Sequence, residues 1–141
     1  MCLVHSARET TEDVDALFEP QAAFMFHAIE VGMKYGWPPG WLNEEIRAFM
    51  DESAPKDLFI TLPGLQVFSV VPEYLLAMKI KASRAGTSDL DDAEFLMRKL
   101  GLSTEDEVKQ RLSAFLDFDM LGPGPRFAFR EMAKRLAGSS V

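Results

Sequence analysis

Two β-rich runs, DLFITL (57–62) and LQVFSVV (65–71), are separated only by Pro63 and Gly64. That spacing predicts a hairpin, since proline presets φ at one turn position and glycine accepts the positive φ needed at the next. From Pro72 onward the apolar residues change to helical spacing and keep it. Residues 72–84, 89–100, 104–118 and, after the GPGP breaker, 126–137 read as helices. Strands in the first half followed by helices in the second make this an α+β chain.

The first half holds further elements. DVDALF (13–18) reads as a short strand ended by Glu19 and Pro20. Pro20 suits a first helical position, and Ala22, Phe26, Ile29 and Met33 then form one apolar stripe that Gly36 can end. WPPGW (37–41) is a rigid turn, because each proline fixes its own φ and pushes the residue before it out of the helical region. Trp37 and Trp41 could bind a base or a sugar, but as flanks of a turn they are expected to be core lids. Residues 41–51 read as a second helix with Leu42, Ile46, Phe49 and Met50 inward. The strand at 13–18 and the hairpin are expected to share one small mixed sheet covered by helices. At 141 residues and 48% apolar, the chain suits one domain over 1–141, with a strand-and-helix core at 1–71 and a helical portion at 72–141.

A formal charge of −7 and a pI near 4.8 argue against broad binding to nucleic acid or anionic membrane, while leaving room for a local basic pocket. A small anionic substrate would need the help of a metal. Cys2 is the only cysteine, so no disulfide can form within the chain and no metal–thiolate cluster is expected. No apolar run approaches the roughly 20 residues of a membrane span. MCLVHSARE lacks the charged start and long apolar stretch of a signal peptide, so a cytoplasmic protein is expected. His5 and His27 are far apart in sequence, and neither has a second ligand type at helical spacing, which argues against zinc.

Three features bear on chemistry. Asp13 and Asp15 sit one residue apart; on a strand they share a face while Val14 points to the other. Two such carboxylates repel unless a divalent cation lies between them, although a D-x-D that simply solvates a turn needs no metal. In PEYLLAMKIKASR, a helical step of about 100° per residue puts Lys79 in the middle of the arc formed by Leu76, Met78, Ile80 and Ala82. Its ammonium either snorkels to water or is held inward to meet an anion. Asp89, Asp91, Asp92 and Glu94 crowd a helix start, where they offset the helix dipole and need no further function. Thr104 and Glu107, at capping-box spacing, are likewise given no chemistry.

ARETTEDVDALFEP, followed after the hairpin by PEYLLAMKIKASRAGTSDLDDAEFLMRKLGLSTEDEV, resembles the small bacterial nucleotidyltransferase-like proteins of the DNA polymerase β superfamily, including those associated with toxin–antitoxin systems. The resemblance implies that Asp13 and Asp15 hold Mg2+ or Mn2+ against a nucleoside triphosphate. It places Arg8 and Thr11 at the family's basic residue and threonine before that strand, and Lys79 at its helical lysine. Arg84, Asp89 and Asp92 correspond to its acidic helix start. The implied reaction transfers a nucleoside monophosphate to a hydroxyl acceptor, RNA being one candidate. Two departures accompany the resemblance. The family's glycine turn, about ten residues before its D-h-D, would cradle the triphosphate and is not present ahead of Asp13. The third carboxylate is not evident either, with Gln66 and Ser69 on the relevant strand and Asp57 a remote candidate. The expectation is therefore an impaired enzyme, with a non-catalytic interaction module as the alternative, acting as a homodimer or as half of a toxin–antitoxin pair.

Overall fold

The structure is a computed structural model that describes residues 13–48, 50, 53–83 and 88–138. It is α+β, and it divides into two compact units, residues 1–52 and 53–141. The boundary thus falls at 52/53, ahead of the hairpin, whereas the sequence pattern suggested a division at 71/72.

The first unit is a βαβ crossover: β1 (Val14–Asp15), α1 (Gln21–Tyr35) and β2 (Leu42–Asn43). β1 and β2 pair in parallel, Val14 opposite Leu42 and Asp15 opposite Asn43. Parallel neighbours require such a crossover, and α1 supplies it. Helix α1 begins one residue later than expected, with Pro20 as its extended N-cap. It ends at Gly36, whose φ of 67° is the left-handed conformation that glycine adopts without strain.

The inward face of α1 differs from the expected stripe. Ala28 and Gly32 are buried, while Phe26, Ile29 and Met33 are 61%, 58% and 81% exposed. Small residues decide this packing. The Trp41 indole lies so close that a Cβ on Gly32 would stand 3.0 Å from its ring, and its Nε1–H donates to the Ala28 carbonyl at 2.9 Å.

No helix forms over 41–51. Asn43 Oδ1 accepts from the Glu45 amide at 2.9 Å, which caps a single 3-10 turn at Glu45–Ala48 and leaves 42–43 extended against β1. Asparagine favours such local bonds over continuing a helix. Glu44 ties this turn to the start of α1, accepting from the side chains of Gln21 and Arg47.

In the second unit, β3 (Lys56–Leu62) and β4 (Leu65–Val70) form the predicted hairpin around Gly64, whose φ is 77°. The register runs from Lys56 opposite Val70 to Leu62 opposite Leu65, with an irregularity between Leu58 and Ile60. Among the described residues this is a two-stranded sheet of its own. The single mixed sheet expected from sequence is therefore replaced by two sheets, one parallel and one antiparallel. The physical reason lies in β1, whose partner is the short segment that sequence reading assigned to a helix.

The helices are α2 (Pro72–Ala82), α3 (Ser88–Lys99), α4 (Glu105–Leu112) and α5 (Pro123–Gly138). Helix α2 packs on the other three, and α3 also packs on α5. Leu76, Ile80, Leu96, Met97, Val108, Leu112, Ala128 and Phe129 are essentially removed from water. Burial of each large side chain contributes about 1.5–3 kcal/mol, so this cluster is the main core of the unit. Helix α4 stops at Leu112, short of the expected 118. The Asp117 carboxylate accepts from the Asp119 amide at 2.9 Å and nucleates a separate 3-10 turn at Phe118–Met120. Helix α5 starts within GPGP, because prolines in a first turn lose no needed amide donor.

Candidate functional site

Asp15 lies on β1, and Asp13 immediately precedes that strand. Val14 donates its amide to the Trp41 carbonyl at 2.6 Å, and Ala16 donates to the Asn43 carbonyl at 3.0 Å. These alternate amides define an extended segment, on which Val14 is half-buried and both Asp13 and Asp15 are exposed. In an extended segment alternate side chains share a side, the relation expected of Asp13 and Asp15. Two exposed carboxylates in this relation suit a hard cation that keeps several waters and takes other oxygens from phosphates. Among the described residues, no group of three or more His, Cys, Asp or Glu is arranged to hold a metal by itself.

Arg8, Thr11 and Arg84 lie outside the described residues, as does the side chain of Asp89. Lys79 and Asp89 belong to the second unit and Asp13 and Asp15 to the first. Lys79 reaches from α2 to α3, where its ammonium sits 3.0 Å from Asp92 Oδ2. Asp92 is one turn beyond Asp89 on the same helix. Its carboxylate is buried, so both explanations offered for Lys79 apply in part: an anion meets it, and a quarter of its side chain still reaches water. Asp57 and Gln66 are exposed on the hairpin and Ser69 is half-buried.

Beside the carboxylate strand stands an aromatic cluster that sequence reading resolved only in part. Trp41 behaves as the expected lid, half-buried on α1 and bonded to Ala28. Trp37 does not, being 46% exposed. Its ring meets Trp41 edge to face at a centroid distance of 4.8 Å and stacks on Tyr35 at 5.4 Å, with planes 27° apart. Tyr35 is 59% exposed, and the Lys34 ammonium lies 5.2 Å from its ring centroid. The signal for Tyr35 was its position two residues before Trp37, across the glycine that ends α1.

Among the described residues, no helix is long and apolar enough to cross a membrane. Comparison of the chain with protein-family models, with curated proteins and with solved structures finds no match.

Proposed function

We propose that this chain is a nucleotidyltransferase-like protein that binds a nucleoside triphosphate with Mg2+ or Mn2+ at Asp13 and Asp15. The observation that carries the reading is the exposed carboxylate pair on the leading strand of a βαβ crossover. The two aspartates would fix the cation and thereby the position of the phosphates. A bound divalent ion supplies Lewis-acid polarisation of the α-phosphate. In turnover the acceptor hydroxyl would lose its proton to water, its oxygen would bond to that phosphorus, the bond to the bridging β-phosphate oxygen would break, and pyrophosphate would leave. The resemblance also assigns Lys79 to the phosphate charge; its ammonium lies 3.0 Å from Asp92 Oδ2.

The test uses Mn2+ as a spectroscopic probe, with binding of Mn2+–ATP followed by electron paramagnetic resonance. Wild type is expected to bind the complex, and Asp13→Asn and Asp15→Asn are each expected to weaken it at least tenfold. Transfer is followed with α-labelled nucleoside triphosphates and cell extract as acceptor. Equal Mn2+–ATP binding by wild type and an Asp13→Asn/Asp15→Asn double variant would sink the assignment.

A second reading is favoured by a specific observation: Phe26, Ile29 and Met33 leave an apolar stripe of α1 in water. Large exposed apolar patches mark association sites in soluble proteins. On this reading the chain is an interaction module that pairs with a second copy or with a toxin–antitoxin partner.

A further inference from the structure

We propose that the half-exposed ring of Trp37, stacked with Tyr35, is a platform for a nucleobase, and so forms the base subsite of the nucleotide site. Only the placement of the phosphates rests on the reading given above; stacking itself depends on the aromatic rings alone.

Four observations carry the proposal. The first is rigidity. Trp41 is locked by its bond to the Ala28 carbonyl and its seat on Gly32, and the Trp37 ring packs against that fixed ring with centroids 4.8 Å apart and planes at 67°. The chain around Trp37 is equally constrained, with left-handed Gly36 before it, Pro38 and Pro39 after it, and its own amide bonded to the Gly32 carbonyl at 2.9 Å. The second is accessibility: about half of Trp37 and more than half of Tyr35 face water. A preorganised aromatic left in water costs little further entropy when a flat ligand lands on it.

The third observation is charge. The Lys34 ammonium lies over the Tyr35 ring, 5.2 Å from its centroid, so the aromatic pair carries a cation. An aromatic pair that carries a cation matches a base joined to phosphates better than it matches a neutral sugar. The fourth is connection to the carboxylates. Trp41, which positions Trp37 with its side chain, accepts the Val14 amide with its backbone carbonyl. One residue therefore mounts both the stack and the D-x-D strand, and only one side chain and two contacts separate them.

The experiment is calorimetric titration of the full chain with adenosine, with ATP plus Mg2+, and with tripolyphosphate plus Mg2+. Stacking on one aromatic is worth a factor of roughly ten to a hundred in affinity. Trp37→Ala is expected to lose about that factor for adenosine and for ATP while leaving tripolyphosphate unchanged. Trp37→Phe, which keeps a flat ring, is expected to stay close to wild type. Circular dichroism checks the fold, and Tyr35→Ala, altered at an exposed helix end, gives a parallel reading if Trp37→Ala unfolds. Asp13→Asn/Asp15→Asn separates the two ideas: adenosine binding retained there supports the platform even if the metal assignment fails. The proposal is overturned if folded Trp37→Ala binds adenosine and ATP as wild type does, or if wild type shows no saturable binding of either up to millimolar concentration.

Discussion

Lys79 Nζ lies 3.0 Å from Asp92 Oδ2, and this ion pair joins α2 to α3 with the carboxylate 5% and the lysine side chain 24% exposed. Before any role in chemistry, Lys79 therefore has a structural one. Both residues also have further interactions, so removing one partner disturbs more than a single bond.

The first prediction follows from that asymmetry of burial. Breaking a buried pair from one side leaves an uncompensated charge at a cost of about 3–5 kcal/mol, and partial exposure of Lys79 lowers this to about 2–3 kcal/mol. Lys79→Met is expected to destabilise the chain by that amount, although methionine keeps most of the packing. A Lys79→Met/Asp92→Leu double variant is expected to recover more than half of the loss. Urea unfolding of the four proteins in the cycle measures both values. A single variant as stable as wild type would mean that water already screens the pair.

How much of this was legible beforehand depends on how local the deciding forces are. The hairpin, the caps at Thr104 and the presence of four C-terminal helices are set by neighbours in sequence and follow from the pattern, although the end of α4 and the start of α5 do not. Lys79 interrupts an apolar arc with a charge, yet the pattern leaves open whether its ammonium snorkels to water or meets an anion, and it does not single out Asp92. The first half was misread where a long-range contact overrode periodicity. Residues 41–51 carry an acceptable helical pattern, but Asn43 caps a short turn and leaves 42–43 free to pair with β1. Helix α1 carries a clear stripe at 22, 26, 29 and 33, but the small residues Ala28 and Gly32 admit the Trp41 indole and draw the other face inward. No periodicity rule weighs a glycine that accommodates a tryptophan nine residues away. Of the candidate site, the carboxylate pair was visible in its spacing, whereas the role of Tyr35 depended on how the turn folds back.

A second prediction concerns pH. The amides of Ser103 and Thr104 and the Ser103 hydroxyl donate to the Glu107 carboxylate, and these bonds hold its pKa below the ordinary 4.5. A carboxyl with a depressed folded-state pKa contributes stability that is fully present above 4.5 and is lost as pH falls through the folded value. Wild type is therefore expected to lose stability on acidification below that point more steeply than Glu107→Gln, which can keep an accepting oxygen but cannot titrate. The comparison is a series of urea midpoints across the acid limb. Thr104→Ala removes the reciprocal bond to the Glu107 amide and is expected to cost about 1 kcal/mol at neutral pH. Parallel acid limbs for wild type and Glu107→Gln would show that this carboxylate does not contribute to the slope.

The last prediction separates burial from association on α1. Phe26, Ile29 and Met33 are each more than half exposed, so Phe26→Gln, Ile29→Gln and Met33→Gln are expected to shift unfolding free energy by no more than about 0.5 kcal/mol each. If the stripe were buried within the chain, as its periodicity suggested, the same changes would each forfeit much of the 1.5–3 kcal/mol that a buried large side chain contributes. Sedimentation equilibrium adds the second axis. On the interaction-module reading, wild type associates as concentration rises, and replacing the three side chains together abolishes association while leaving the monomer as stable as before. The effect on stability should then depend on protein concentration, because a partner that binds only the folded form adds to its stability by mass action. Unfolding midpoints that are independent of concentration, together with small single-site effects, would remove this stripe as an interface and leave the nucleotide reading of the first unit ahead.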